Sequence, residues 1–230
     1  MPVYNEEGAI AKTVLECQEA VLSRFNDGEI ICVDDASTDR TTEILQSLRA
    51  QVNTLHIKRN SQNLGHGPSL RRALAQARGE WVFCIDSDYQ FYPREFWSLY
   101  EHRGCGGIVI GYRSPRRDGV MRRFASILGN RWISIRCGIP IRDINIPFKL
   151  FSRQILYQLL PLIPEDTLIP STLLILAANR YGIPIQETPV SHLARSTGRS
   201  TLSHQHFATF SLNALRELAQ FRRYLQEPER

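Results

Sequence analysis

At 230 residues the chain is long enough to bury a sizeable core as one large domain or two small ones. Its 43% hydrophobic and 22% charged residues are ordinary globular usage, which excludes disordered, collagen-like and coiled-coil chains. The net charge of +5 gives a weak hint of an anionic partner, and the longest apolar run, 173–178, is far short of the ~20 residues that cross a bilayer.

No charged-then-apolar leader precedes a cleavage site, so export is not expected. The five cysteines, Cys17, Cys32, Cys84, Cys105 and Cys137, are scattered and odd in number. They give neither a disulfide framework nor a zinc knuckle, and a reducing, cytoplasmic setting follows. No nucleic-acid partner is expected.

Taken in chain order, short apolar runs alternate with helical patterns. Strands are predicted over 30–33, 55–57, 81–85 and 108–110, each continuously apolar and so buried on both faces. Helices are predicted over 9–22, 41–50, 68–77 and 93–100, with Ser37 or Thr38 as cap of the second and Pro93 in the first turn of the fourth. This alternation predicts an α/β fold with a mostly parallel sheet flanked by helices. The second half is less regular: helices over 122–135 and 168–180, a strand over 148–151, and an extended piece over 183–190. Over 207–225 apolar residues recur at helical spacing, giving an amphipathic helix expected to pack on the domain. One domain over 1–204 with this helix at 205–230 is the expected organisation.

The opening Met1-Pro2-Val3-Tyr4-Asn5-Glu6 reads as a loop. Ligand loops of doubly wound sheets follow the carboxyl ends of strands, so the first strand is expected to be truncated.

Acidic residues at strand ends carry the sharpest chemistry. One run ends in Asp34-Asp35 and another in Asp86-Ser87-Asp88. Two carboxylates one residue apart can approach one hard cation, and Mg²⁺ or Mn²⁺ held this way also binds substrate phosphates. Turn-forming or capping roles are the plain alternative for each pair. The segment Asn63-Leu64-Gly65-His66-Gly67-Pro68 leads into a helix whose amides can hold an anion, but it is neither a G-x-G-x-x-G nor a P-loop sequence. His66 reads as a turn residue. Arginine is abundant between Arg113 and Arg142, where Arg113, Arg116, Arg117, Arg122, Arg123, Arg131, Arg136 and Arg142 face a single acid, Asp118. Guanidinium groups suit phosphate oxygens, and a solvated helix face is the competing reading.

Together Pro2-Val3-Tyr4-Asn5-Glu6-Glu7, Val33-Asp34-Asp35-Ala36-Ser37-Thr38-Asp39, Asn63-x-Gly65, Arg78-Gly79-Glu80 and Asp86-Ser87-Asp88-Tyr89-Gln90 resemble glycosyltransferase family 2, of the GT-A fold. The later residues Gly111-Tyr112-Arg113, Arg122-x-x-x-Ser126-x-x-x-Asn130, Asp143 with Phe148, and Arg195-x-x-Gly198-x-Ser200 resemble its polyprenyl-phosphate branch, typified by dolichol-phosphate mannose synthase. The resemblance implies that Pro2, Tyr4, Glu6, Asp34, Asp35 and Asp86 hold a nucleotide-diphosphate sugar. Asp86, Asp88 and Gln90 would hold Mg²⁺ or Mn²⁺, with Asp88, Arg113 and Arg122 catalytic. Arg113, Arg122, Ser126, Arg195 and Ser200 would receive an acceptor phosphate. The expected activity is inverting sugar transfer to a polyprenyl phosphate at the cytosolic membrane face, with peripheral membrane contact or a separate membrane subunit.

The chain departs from the mannose synthases at Asp143-Ile144-Asn145-Ile146-Pro147 and at Ile169-Pro170-Ser171-Thr172-Leu173, where a glutamate is lacking; Asp166 stands nearby. A saccharide acceptor in envelope polysaccharide synthesis is an alternative, as is a non-catalytic nucleotide-sugar binder or partner subunit. A processive synthase ranks lower, because Leu128 replaces the glutamine of Q-x-x-R-W before Arg131-Trp132. A nucleotidyltransferase is a further rival, distinguished by pyrophosphate release.

Overall fold

A computed structural model describes residues 1–114, 138, 140–194 and 204–226, with side chains from residue 209 onward in the last stretch. Arg122, Ser126, Arg195, Ser200 and the helix predicted over 122–135 lie outside the described residues.

Among the described residues seven strands form two sheets. In the first, β1 (Pro2–Val3), β2 (Ile30–Asp34) and β3 (Leu55–Arg59) run parallel in that order, with Pro2 opposite Val33 and Ile30 opposite Leu55. The second has the order β4 (Trp81–Cys84), β6 (Lys149–Ser152), β5 (Ile108–Arg113), β7 (Ile185–Val190). Here β6 is antiparallel to both neighbours, whereas β5 and β7 are parallel. The predicted strands recur within a few residues of their expected bounds. The expectation of burial on both faces fails on the two strands that end their sheets among the described residues: on β3 only Leu55 is buried, with His56, Lys58 and Arg59 exposed, and on β4 Trp81 and Phe83 are only partly buried.

The helices follow the expected order. Helix α1 (Ile10–Glu16) runs on as a π turn over Cys17–Val21 and a 3₁₀ turn over Leu22–Arg24. Then come α2 (Thr41–Arg49), α3 (His66–Leu74) and α4 (Phe96–Tyr100), the last led by a 3₁₀ turn with Pro93 first. Neither Ser37 nor Thr38 caps α2; instead Asp39 accepts the Thr41 N–H at 2.9 Å. Helix α3 starts two residues earlier than predicted, because Gly65 takes a left-handed φ of 93° and turns the chain into it. The side chain of Gly67 is absent for a reason: a Cβ there would strike the backbone of Thr167 and Leu168.

Helix α5 (Arg153–Leu159) was not predicted. Its signals are Ser152, whose Oγ accepts the Ile155 N–H at 3.3 Å, and apolar residues at 155, 156, 159 and 160. Helix α6 (Pro170–Arg180) is buried from Thr172 to Ala178, apolar all round as a central helix must be. Helix α7 (His204–Gln226) lies on it through Leu218 and Phe221, and Arg180 Nε donates to the Leu225 carbonyl at 3.0 Å. Glu217 of α7 accepts from the Thr167 hydroxyl and, at 3.0 Å, from the Leu168 N–H.

An aromatic box of Phe25, Phe96, Trp97 and Tyr100 closes one flank, with Phe25 stacked on Trp97 at 5.6 Å. Between β2 and β4, beneath α3, runs a groove of about 800 Å³.

Candidate active site

The predicted residues gather where strands end. Pro2 lies in β1, with Tyr4 and Glu6 in the loop after it; Asp34 and Asp35 end β2; Asp86, Asp88 and Gln90 follow β4; Arg113 ends β5. Carboxyl ends of strands in α/β sheets are where ligands bind, since loops there are free of the ladder and helix starts point inward.

Three residues other than glycine have positive φ among the described residues: Asn5 (52°), Ala36 (59°) and Tyr89 (55°). They sit just past β1, β2 and β4. Such conformations persist only where the surroundings enforce them, and they cluster at functional sites. The surroundings are visible here. Asn5 N–H donates to Ser37 Oγ at 3.0 Å, and the Asn5 side-chain carbonyl accepts the Thr38 N–H at 2.8 Å, so the first two loops are laced together. Glu6 is buried, and its N–H donates to Thr41 Oγ1 at 2.8 Å. The Tyr89 hydroxyl donates to Glu16, while Lys12 lies 4.0 Å over the Tyr89 ring. Burial, reinforced by the Glu16 bond, raises the Tyr89 phenol above its ordinary value.

Asp34 is wholly buried and accepts the Ser37 N–H at 3.0 Å and the Thr42 hydroxyl at 2.6 Å, with Arg59 Nε at 3.6 Å. Asp35 accepts Asn60 Nδ2 at 2.7 Å, Leu64 N–H at 2.8 Å and Gly65 N–H at 2.8 Å. Both carboxylates therefore organise the protein's own loops, and Asp35 sets the entry to α3.

His66, read from sequence as a turn residue, is the first residue of α3, and its Nε2 lies 3.0 Å from Asp86 Oδ1. Burial acts to raise the Asp86 pKa, but the histidine outweighs it and holds the carboxyl below the ordinary range. On His66 burial acts downward, and Asp86, aided by Asp88, lifts the imidazole above its ordinary value.

Asp88 Oδ1 accepts the Gln90 N–H at 3.1 Å. Gln90 uses its amide nitrogen on the Leu193 carbonyl at 3.4 Å, so Oε1 is the end available to a cation. Among the described residues no three His, Cys, Asp or Glu side chains converge to hold a metal by themselves. Two carboxylates and an amide oxygen are all hard donors. They fit a small divalent cation that takes its remaining ligands from water and substrate phosphates.

Arg113 is mostly buried, its Nη1 3.4 Å from Asp143 Oδ2 and its guanidinium 5.8 Å over Phe91. Sequence reasoning missed a further residue here. Lys149 is fully buried in β6 opposite Cys84, and its ammonium donates to the Ile146 carbonyl and, at 3.1 Å, to Ser171 Oγ. Burial pushes its pKa down to about 8, against the pull of Cys84, Asp143 and Asp86. The signal was present: one of only three lysines, set in the apolar run Phe148-Lys149-Leu150-Phe151. A lysine there must have its charge answered inside the protein.

The profile described as glycosyl transferase family 2 matches residues 1–160. An undecaprenyl-phosphate 4-deoxy-4-formamido-L-arabinose transferase of Pseudomonas aeruginosa is 29% identical over 205 residues, which are 88% of this chain and 59% of that protein. The chain thus spans about three fifths of the length of the curated relatives it matches. Among solved structures, glucosyl-3-phosphoglycerate synthase of Mycobacterium tuberculosis, in complex with Mn²⁺, uridine diphosphate and phosphoglyceric acid, superposes with a TM-score of 0.70 at 21% identity, covering 99% of this chain and 78% of that one. Mannosyl-3-phosphoglycerate synthase of Rubrobacter xylanophilus gives a TM-score of 0.73 at 15% identity, covering 99% and 74%. The fold is accordingly the expected GT-A fold. With the family profile matched over more than half its length and the strand-end acids in place, the chain belongs to glycosyl transferase family 2.

Proposed function

We propose that the chain is the catalytic GT-A unit, residues 1–204 with the helix at 205–230 docked on it, of an inverting transferase. It moves a sugar from a nucleoside diphosphate to a polyprenyl phosphate at the cytosolic face of the membrane. The observation that carries this reading is the placement of Asp86, Asp88 and Gln90 in one short loop after β4, with the laced loops after β1 and β2 at the same end of their strands. The similarity to the Pseudomonas aeruginosa transferase supports the lipid-phosphate acceptor.

In this reading Pro2, Tyr4 and Glu6 line the nucleotide pocket, and Asp34 and Asp35 hold its loops in shape from behind. Asp86, Asp88 and Gln90 hold Mg²⁺ or Mn²⁺, which when bound supplies positive charge to the leaving diphosphate. Arg113, with Arg122, Ser126, Arg195 and Ser200, receives the acceptor phosphate. One acceptor oxygen forms the new bond to the anomeric carbon as the bond to the nucleoside diphosphate breaks on the opposite face. The attacking oxygen is already anionic, so no side chain has to remove a proton. Positioning and electrostatic stabilisation carry the rate. No helix of the described residues is long and apolar enough to cross a membrane, and a basic, peripheral contact suits the lipid substrate.

The test is sugar transfer to undecaprenyl phosphate from a panel of radiolabelled nucleotide sugars with Mn²⁺, comparing the natural chain with Asp88→Asn. Loss of transfer in the variant with retained folding is expected. Undiminished transfer overturns the role of Asp88. Nucleotide-sugar binding without turnover on lipid or saccharide acceptors leaves the non-catalytic binder, and overturns the enzyme.

A further inference from the structure

Helix α7 reaches the turn ahead of α6 through one side chain. Glu217 accepts the Thr167 hydroxyl on one carboxylate oxygen and, at 3.0 Å, the Leu168 N–H on the other. Thr167 is buried, and its Oγ in turn accepts the Ile169 N–H at 3.2 Å. Helix α6 then begins at Pro170 with no side-chain cap of its own. The turn is therefore fixed by a carboxylate that arrives from another helix, and hydrogen bonds to an ionised acceptor are about twice as strong as neutral ones. Asp166, the nearest acid in sequence, is exposed.

The same turn is packed against the start of α3. Gly67, the second residue of that helix, meets the backbone of Thr167 and Leu168 so closely that a Cβ on it would stand 2.7 Å from Leu168 Cα. Backbone lies on backbone, with no side chain between them to absorb a shift. The residue before Gly67 is His66, whose Nε2 lies 3.0 Å from Asp86 Oδ1. The entry to α3 has a second support in Asp35, which accepts the Leu64 and Gly65 N–H groups at 2.8 Å each. Asp35 and the 167–168 turn thus set the first turn of α3 together, and the latter depends on Glu217.

We propose that Glu217 is a positioning residue: by fixing the 167–168 turn against Gly67, its carboxylate sets His66 on Asp86 and couples α7 to the metal loop. The inference rests on the reading of Asp86 as a cation ligand. An acid already held in place loses less freedom when the cation arrives, which raises affinity. Coupling between two sites is reciprocal, so a cation at Asp86 tightens the hold of Glu217 by the same factor. If Glu217 only packed α7 onto the domain, its removal would lower stability and leave cation affinity alone.

The experiment titrates Mn²⁺ alone against the natural chain, Glu217→Ala, Glu217→Gln and Arg180→Ala, reading the EPR signal of the free ion, so that neither nucleotide nor turnover enters. Glu217→Ala is expected to weaken Mn²⁺ binding about fivefold, the scale on which residues of a contiguous network act on a distant site. Glu217→Gln keeps an oxygen for the Leu168 N–H and should stay within about twofold of the natural chain. Arg180→Ala removes the tie to the Leu225 carbonyl, near the other end of α7, and should leave Mn²⁺ binding unchanged. In the natural chain, saturating Mn²⁺ should slow hydrogen exchange over 167–169 and 214–221. This last measurement decides the matter if Glu217→Ala does not fold. Natural Mn²⁺ affinity in Glu217→Ala, or an equal loss in Glu217→Gln or Arg180→Ala, overturns the inference, as does exchange that Mn²⁺ leaves unchanged. A natural chain that binds no Mn²⁺ overturns the metal reading itself, and the inference with it.

Discussion

Gln90 and Leu193 are bonded in both directions: the Leu193 N–H donates to the Gln90 carbonyl at 2.9 Å, and the Gln90 amide donates to the Leu193 carbonyl at 3.4 Å. This joins the segment after β7 to the loop that carries Asp86 and Asp88.

Gln90→Ala separates the two roles of this residue. The main-chain half of the link survives, so stability should fall by only about 1 kcal/mol. Mn²⁺ affinity in the presence of nucleoside diphosphate should fall about tenfold or more with the amide oxygen gone. Calorimetric titration and urea unfolding of the same preparations check the two halves together.

Asp35→Ala should be far more damaging to the fold. Asn60 Nδ2 and the N–H groups of Leu64 and Gly65 lose their acceptor in a site only 2% exposed. At about 1–3 kcal/mol for each buried donor left unpaired, a loss of about 3 kcal/mol or more is expected. The midpoint and slope of urea denaturation measure it. A loss under about 1 kcal/mol would mean that water reaches these donors.

Tyr89→Phe removes the hydroxyl that ties the strained loop to Glu16. With φ at 55°, the loop is held against its local preference, and the tie is one of the things holding it. A stability loss of about 1–2 kcal/mol is expected, together with weaker Mn²⁺ binding, because Tyr89 stands between Asp88 and Gln90. Unchanged Mn²⁺ affinity would leave the tyrosine a purely structural part.

Lys149 gives a pH dependence of definite sign. Its pKa is about 8 in the folded chain against an ordinary 10.5, so between these values the unfolded chain binds more protons. Folding is therefore favoured as pH rises across this window and disfavoured as pH falls to 8, below which the effect is constant. Cys17, Cys32 and Cys84 act oppositely: burial raises their thiols to about 12, 11 and 11 from 9.0, so they lose stability as pH climbs past 9. The difference in unfolding free energy between the natural chain and Lys149→Met isolates the lysine. It should move by about 3 kcal/mol in favour of the natural chain from pH 8 to 10.5.

Much of this protein was readable from local chemistry. Continuous apolar runs at β2 and β5 marked buried strands, because a strand covered on both faces has no use for alternation. The acids Asp34-Asp35 and Asp86-Ser87-Asp88 marked the carboxyl ends of β2 and β4. The spacing of these segments was enough to indicate the family, since each is a short stretch whose meaning does not depend on distant partners.

What needed the folded chain was every fact that depends on which side chains meet. From sequence Asp34 and Asp35 are indistinguishable from ligand-facing acids, yet the hydroxyl of Thr42 and the amide of Asn60 take up their oxygens. His66 has no local mark as the partner of Asp86, twenty residues on, and Lys149 gains its counter-charges only when β6 inserts beside β4. The edge position of β3 and the groove between β2 and β4 follow from strand order, which no single run of residues encodes. Hydrophobic pattern and strand-end residues act over a few positions and were legible; pairing, burial of charge and strand order are settled by contacts across the whole chain.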